Sequence, residues 1–296
     1  MAVWRSRLSF LRWGIRAFDV LVLMAYPTLG AIFALPQVNW VSCGRLAIFS
    51  IFNSFLLVHI YLINDWSDAR LNPAEPRQRK IQALKRPEII NERQILGLAM
   101  LLLALSLIGF YFLSPVIFDL TAVIALLTMF YSHPRINGKG IPVLSTLIHL
   151  AFAILYFLAG WTLYRPLSPP AAALGLYFGL VLSAGHFSNE IEDFQSDSQA
   201  GIRTNAIAFG QRPVFRLGLA LFLLSSLYLL GLAVAGWVDQ GFAWIGGTLT
   251  LAWIIQIVRY RRWQAGDPIH TFRDSYRMVY ALVSLAMLAL LLWEKS

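Results

Sequence analysis

The sequence predicts an all-α integral membrane protein with about nine transmembrane helices. Of its 296 residues, 58% are hydrophobic and only 13% are charged, whereas about a quarter of the residues in a soluble domain are charged. The apolar residues are grouped in stretches of about 20, the length that spans a bilayer. This composition excludes a disordered chain, a collagen-like fibre and an ordinary soluble enzyme. The single cysteine excludes an internal disulfide framework.

Nine apolar stretches are long enough to be interpreted as transmembrane helices. The first is too long for a cleaved signal peptide, and no small-residue cleavage site follows it. We therefore expect one membrane domain over residues 1–296. The predicted spans are residues 15–36, 43–63, 95–113, 115–132, 142–164, 170–188, 213–236, 241–258 and 276–293.

The distribution of Lys and Arg supports this count and orients the chain. With nine spans and a cytoplasmic N-terminus, all but three of the 24 Lys and Arg residues lie on the cytoplasmic side, the exceptions being Arg45, Arg165 and Lys295. Basic loops are retained in the cytoplasm during membrane insertion. We therefore expect an outside C-terminus, a site that opens toward the cytoplasm, and a bacterial inner membrane as the location. The net charge of +9 is attributed to these loops and not to nucleic-acid binding.

Two acidic motifs follow the second and sixth predicted helices. The first reads NDWSDARLN over residues 64–72, the second reads NEIEDFQSD over residues 189–197, and both fit Asn-x-x-x-Asp-x-x-x-(Asn/Asp). A spacing of four places successive side chains one turn apart on one helix face. The motifs lie four spans apart on the same side of the membrane, which indicates a 4+4 pseudo-repeat plus one helix. The motif residues are Asn64, Asp68 and Asn72, then Asn189, Asp193 and Asp197.

Two such rows of oxygen ligands are suited to Mg²⁺ and a diphosphate. Carboxylate and amide oxygens are hard ligands, and Mg²⁺ in proteins usually takes one or two carboxylates together with substrate phosphate oxygens. The alternative is that solvated acids simply decorate two helix ends. Two matched copies in a very apolar chain favour function, because acids near membrane depth are costly.

Basic residues close to the motifs are candidates for binding a diphosphate. Arg79 follows the first motif, Arg203 follows the second, and Lys139 lies between helices 4 and 5. Arginine binds phosphate oxygens through its planar fork of N–H donors. Cytoplasmic loops of membrane proteins are rich in Lys and Arg in any case, so each of these residues could serve the membrane topology alone.

The connection between helices 4 and 5 reads YSHPRINGKG over residues 131–140, and its proline and glycines predict a turn. Tyr131 is expected to line the entrance of the site. His133 is a candidate base, although a lone loop histidine is more often polar surface. His149 and His186 lie in apolar spans and are expected to be hydrogen-bonded inside the bundle.

These motifs resemble those of the UbiA superfamily of intramembrane prenyltransferases. The family pattern is Asn-Asp-x-x-Asp-x-x-x-Asp after helix 2 and Asp-x-x-x-Asp after helix 6. The segment AGIRTNAIAFG, residues 200–210, is similar to the family's Gly-Lys-x-Thr-Leu-Ala-Val stretch. The resemblance implies nine helices around a central cavity. It also implies Mg²⁺-dependent transfer of a prenyl chain from an isoprenoid diphosphate to a hydrophobic acceptor.

The resemblance also implies residue roles by position. The implied metal-site residues are Asn64, Asp68, Asn72, Asp193 and Asp197. Asp65 and Asn189 are implied to support these metal-site residues. The implied diphosphate-binding residues are Arg79, Lys139, Arg203, Asn64 and Asn189. The candidate catalytic set is Asp68, Asp193, Asp197 and Tyr131.

The chain departs from the family pattern in two places. The third acid of the first motif is Asn72, whose amide ligates through oxygen without negative charge and so weakens a full first metal site. The family's Arg-Pro pair is matched in spacing by Arg79, while Arg86-Pro87 lies at least one turn later. Arg79 is therefore preferred and Arg86 is the alternative.

The acceptor is less well defined by the motifs. An aromatic acceptor is favoured, of the kind used in quinone-precursor prenylation, with a resemblance to chlorophyll synthase in a few short details. Carotenoid elongation, terpene cyclisation and phosphoribosyl transfer to polyprenyl phosphate are further family reactions. A membrane transporter with an acidic ion path, or an inactive binding protein, is the alternative outside this chemistry. The oligomeric state is left open.

Overall fold

The computed structural model describes residues 16–71, 92–265, 267 and 269–293. Within those ranges the regular elements are eleven α-helices and one short 3₁₀ turn at Gly138–Gly140. In chain order the helices are α1 (Ala17–Ala34), α2 (Trp40–Leu71), α3 (Glu92–Leu113), α4 (Pro115–Ser132), α5 (Leu144–Trp161), α6 (Pro169–Glu192), α7 (Phe194–Gln199), α8 (Asn205–Phe209), α9 (Gln211–Val234), α10 (Gly241–Arg259) and α11 (His270–Trp293).

Eight of these helices are long and apolar enough to cross a membrane, namely α2 to α6 and α9 to α11. In α1 the apolar part is shorter and covers Asp19–Ala34. Nine helices therefore match the nine predicted stretches, with α1 as the marginal one. The predicted all-α membrane fold is confirmed.

Three helices extend at one end by four or more residues beyond the predicted span, because the hydrophobic pattern covers less of the chain than the backbone hydrogen bonding does. The second predicted span ended at residue 63, yet α2 continues to Leu71 and includes most of the first acidic motif. In the same way α6 continues past residue 188 to Glu192. The last helix, α11, begins at His270, six residues before the predicted start.

The bundle is built around a close crossing of α1 and α5. A Cβ added to Gly160 would lie 1.8 Å from the carbonyl oxygen of Pro27, and one added to Gly30 would lie 2.1 Å from that of Phe157. Glycine at both positions lets the two backbones approach each other. Helix α5 also packs on α4 and α6, α6 packs on α9, α2 packs on α3, and α11 returns to contact α1.

Ion pairs join neighbouring segments at the end of the bundle where α2 and α6 finish. Arg16, just before α1, pairs with Asp65 of α2. Arg273 of α11 pairs with Glu192 of α6. The 3₁₀ turn follows α4, and α7 and α8 follow α6. Each of these connections comes after an even number of crossings, so all of them lie at this same end of the bundle. The polar chemistry of the protein is thus concentrated at one end.

Candidate active site

The first acidic motif begins on the last turns of α2, where the side chains of Asn64 and Asp68 share one face as predicted. The amide Nδ2 of Asn64 donates to Oδ2 of Asp68, one turn later, over 3.1 Å. The hydroxyl of Ser132, at the end of α4, donates to Oδ1 of Asn64 over 3.2 Å. These contacts fix the direction of the Asp68 carboxylate relative to the end of α4.

Lys139 lies directly over this motif and forms an ion pair with Asp68. The 3₁₀ turn that carries Lys139 follows Asn137, which has a φ of 49°, a conformation that asparagine tolerates better than most residues. The Asn137 amide donates to the carbonyl of His133 over 2.7 Å and closes the turn. Local turn geometry therefore brings the predicted diphosphate-binding cation to the first motif.

The second motif does not continue on one straight helix, and here the sequence interpretation needs correction. Helix α6 ends at Glu192, Asp193 is its C-cap residue, and α7 starts at Phe194. The i to i+4 backbone bonds persist across the break, because Asp193 N–H donates to Asn189 and Asp197 N–H donates to Asp193, over 2.9 and 2.8 Å. The motif residues are therefore one turn apart, across the junction between α6 and α7.

Tyr131, near the end of α4, is close enough to interact electrostatically with Asp68 of the first motif, with Asp197 of the second motif and with Glu190. The ring of His149 meets the Tyr131 ring edge-on, with 5.1 Å between the centroids. This arrangement places both acidic motifs around one region at the end of the bundle.

The spanning histidines are hydrogen-bonded inside the bundle, as expected. Nδ1 of His149 lies 2.8 Å from the carbonyl oxygen of Ser145. The rings of His149 and His186 stack with centroids 3.8 Å apart, and Nε2 of His186 lies 3.0 Å from Oε1 of Glu190. They form a polar wall behind Tyr131.

Glu190 is a buried carboxylate that the sequence analysis did not single out. It is 4% exposed and accepts hydrogen bonds from Asn205 Nδ2 over 2.8 Å, from Ser145 Oγ over 3.2 Å and from the Ala206 amide over 3.3 Å. An acid within an apolar span was a usable signal. The Asn-x-x-x-Asp pattern drew attention to Asn189 instead.

Asp65, expected to support the first motif, is engaged by a partner that the sequence did not indicate. Burial alone would lower the pKa of the Arg16 guanidinium, but the combined effect of Asp65 and the other nearby groups, Asp19, Tyr61 and Asp68, holds that pKa above its ordinary value. Arg16 therefore stays protonated, and its ion pair with Asp65 joins α1 to α2 beneath the motif.

Some predicted site residues are not brought into these contacts. Arg203 is exposed on the segment between α7 and α8. Asn72, Arg79 and the alternative Arg86 lie outside the described residues. Within the described ranges, no group of three or more His, Cys, Asp or Glu side chains is close enough to hold a metal ion.

Comparison with known families identifies the chain. The model of the UbiA prenyltransferase family matches residues 24–283, which is most of the sequence. The chain belongs to the UbiA prenyltransferase family. The resemblance drawn from the two acidic motifs is thereby confirmed.

Solved UbiA homologues share the fold at low sequence identity. A homologue from Archaeoglobus fulgidus bound to GPP and Mg²⁺ is 16% identical with a TM-score of 0.74, covering 95% of this chain and 99% of that one. The complex with DMAPP and Mg²⁺ is 17% identical with a TM-score of 0.73, covering 96% and 98%. The apo homologue from Aeropyrum pernix K1 is 13% identical with a TM-score of 0.68, covering 93% and 97%. No curated protein matches the chain in sequence.

Membership in the UbiA family decides between the broad alternatives. The chain is a prenyltransferase and an integral membrane protein, so the transporter interpretation is not supported. The fold explains how motifs 125 residues apart come to the same end of the bundle, because α2 and α6 both finish at the end that holds Tyr131. The acceptor is not defined by family membership.

Proposed function

We propose that this UbiA enzyme transfers a prenyl chain from an isoprenoid diphosphate to a hydrophobic aromatic acceptor, with Mg²⁺ as cofactor. The observation that carries the proposal is the placement of Asp68 and Asp197 within range of the same tyrosine, Tyr131, with Lys139 paired to Asp68. The Archaeoglobus fulgidus homologue bound to GPP or DMAPP with Mg²⁺ supports the donor class and the ion.

The donor set fits Mg²⁺. Asn64 and Asp68 already share one face of α2, and with Asp193 and Asp197 they would supply only amide and carboxylate oxygens. Mg²⁺ usually takes only one or two carboxylates from the protein, and substrate phosphate oxygens complete its coordination. When bound, Mg²⁺ supplies positive charge beside the diphosphate leaving group.

The cationic residues of the chain would bind the diphosphate itself. Lys139 is 13% exposed and Asp68 is 31% exposed in their ion pair, so the ammonium is held at the edge of the site with its carboxylate partner open to solvent. A diphosphate that binds beside Asp68 would therefore contact the Lys139 ammonium. Arg203 would add a second cation, and Arg79, outside the described residues, is proposed as a third.

The interior of the bundle would hold the prenyl chain and exclude water. Tyr131, beside both motifs, presents an aromatic ring that stabilises positive charge developing on the allylic carbon. Water exclusion matters because water would trap the electron-poor carbon before the acceptor attacks. The apolar helices that surround the site supply this dry environment.

Two buried tyrosines support an acceptor that carries a polar ring substituent. The hydroxyls of Tyr156 on α5 and Tyr177 on α6 have no hydrogen-bond partner among the described residues, and both side chains are at most 1% exposed. Buried hydroxyls are rarely left unpaired. We propose that a hydroxyl or carboxyl group on the acceptor ring pairs with one of these hydroxyls, which a pure hydrocarbon acceptor could not do.

Diphosphate release tests this proposal directly. Protein in lipid nanodiscs would be given labelled geranyl, farnesyl and geranylgeranyl diphosphate with a panel of hydroxylated benzoates and naphthols. We expect release that needs both Mg²⁺ and an aromatic acceptor and stops on chelation. Release only with a tetrapyrrole or isoprenoid acceptor would replace the aromatic proposal. Absence of release or donor binding with every prenyl diphosphate would contradict the donor assignment.

We also propose a cytoplasmic N-terminus and active site in a bacterial inner membrane, from the distribution of Lys and Arg. Cys43 is the single cysteine, is exposed, and lies at the start of α2, which this orientation places outside. We expect a membrane-impermeant maleimide to label it in intact spheroplasts. The control is the double variant Cys43→Ser, Gln264→Cys, whose only cysteine lies between α10 and α11 on the cytoplasmic side. Its labelling should require permeabilisation of the membrane. The reverse pattern would invert the orientation.

A further inference from the structure

A buried hydrogen-bond joint connects three segments behind the proposed site. We call it the Asn205 joint, and its members are Val143, Ser145, Thr146, Glu190 and Asn205. Oδ1 of Asn205 accepts from the Val143 amide over 2.6 Å, and Nδ2 lies 2.8 Å from Glu190 Oε1 and 3.1 Å from the hydroxyl oxygens of Ser145 and Thr146. One side chain thus contacts the connection before α5, the first turn of α5, and α6.

The joint holds a strained turn. Val143 has φ 65° and ψ −48°, and the Leu144 amide donates to the Pro142 carbonyl over 2.8 Å. This is a γ-turn of the positive-φ type, which is rare and strained. A β-branched residue in that region is a genuine outlier. Such strain persists only where the surroundings enforce it, and the Asn205 amide oxygen is the contact that does so at the Val143 N–H.

The two segments that meet at the joint each carry a proposed diphosphate-binding cation. Lys139 lies four residues before Val143, and Arg203 lies two residues before Asn205. The segments also touch outside the joint, because a Cβ added to Gly140 would lie 3.4 Å from Cγ2 of Ile202. Helix α8, which begins at Asn205, has only five residues. Its position therefore depends on side-chain anchoring, and Glu190 and Asn205 provide that anchoring.

We infer that Asn205 is a positioning residue that fixes the Lys139 and Arg203 segments relative to each other and to the acid-bearing end of α6. This inference rests on the proposed function for its kinetic consequence. Asn205 does not contact the substrate in this assignment. It acts through Val143 on the segment that carries Lys139, so its removal lets the Lys139 ammonium leave its place beside Asp68.

The near-isosteric variant Asn205→Leu tests the inference, because leucine keeps the approximate shape of the side chain and removes the amide oxygen and nitrogen that form the joint. The matched control is Thr250→Val, which removes a hydrogen bond of 3.1 Å between Thr250 on α10 and Ser226 on α9, far along the chain from the joint. Both variants exchange a polar side chain for an apolar one of similar size.

Backbone hydrogen exchange gives the readout that does not depend on activity. In Asn205→Leu the Val143 N–H loses its acceptor and should exchange faster. The Ala206 N–H keeps its own acceptor, Glu190, so it accelerates only if the joint as a whole comes apart. We expect faster exchange at both amides and at neither in Thr250→Val. Acceleration at Val143 alone, or at neither amide, would overturn the inference.

Kinetics test whether the effect passes through Lys139. We expect Asn205→Leu to lower kcat/KM for the prenyl diphosphate about tenfold to 100-fold, chiefly by raising KM, since small misplacements of binding groups have effects of that order. In a Lys139→Ala background the same substitution should change kcat/KM by less than about twofold. Full additivity of the two losses would overturn the inference. If the wild-type protein released no diphosphate, the proposed function would be wrong. The hydrogen-exchange result would still show whether Asn205 holds the segments of the joint together.

Discussion

Asp68→Asn is expected to lower kcat/KM for diphosphate release by about 100-fold or more, the order seen when one charge-stabilising group is removed from an active site. The substitution keeps the oxygen that Asn64 bonds but removes the negative charge that pairs with Lys139 and is proposed to hold Mg²⁺. The apparent Mg²⁺ requirement should therefore rise together with the loss of rate. Steady-state release at several Mg²⁺ concentrations measures both.

The matched control is Asp119→Asn. Asp119 is an exposed acid near the start of α4, at the opposite end of the bundle from Tyr131, and its neutralisation should leave kcat/KM and the Mg²⁺ requirement unchanged. Asp193→Asn should resemble Asp68→Asn, because the proposal uses carboxylates from both motifs. If Asp68→Asn and Asp193→Asn both retained full activity, the two motifs would have no part in the chemistry.

The parts of the site that the sequence predicted correctly depend on local geometry. Asn64 and Asp68 are four residues apart, and a helix alone places them together, as the hydrogen bond of 3.1 Å shows. The same reasoning was incomplete for the second motif, because the sequence did not indicate that α6 would end at Glu192 and that α7 would begin at Phe194. Spacing predicts a shared face only while the helix continues.

The parts that the sequence did not predict depend on contacts between distant segments. Lys139 was a candidate for phosphate binding, but its pairing with Asp68 joins residues 71 positions apart. Asn205 was passed over because a single polar residue in a loop has no pattern, and only the fold brings it to Val143 and Glu190. The long apolar stretches defined the helices well, yet they carried no information about these polar contacts.

The second large effect is expected for Gly160→Ala, which should destabilise the folded bundle. The added methyl would lie 1.8 Å from the Pro27 carbonyl oxygen, and a backbone atom inside a packed helix cannot move aside as a side-chain end can. Overpacking of this kind costs about 1–3 kcal/mol. The corresponding drop in melting temperature is on the order of 5 °C, measured by tryptophan fluorescence in detergent micelles.

Gly97→Ala is the control, since a Cβ on that exposed residue of α3 meets nothing within 4 Å. Its melting temperature should equal that of the wild type or exceed it, because alanine favours the helix over glycine. Gly30→Ala provides an independent test of the same crossing from the α1 side, where the methyl would lie 2.1 Å from the Phe157 carbonyl oxygen. Wild-type melting of both Gly160→Ala and Gly30→Ala would mean that α1 and α5 do not cross this closely. The crossing also bears on function, because α5 carries Ser145 and Thr146 of the Asn205 joint, so displacement of α5 should lower activity in the protein that remains folded.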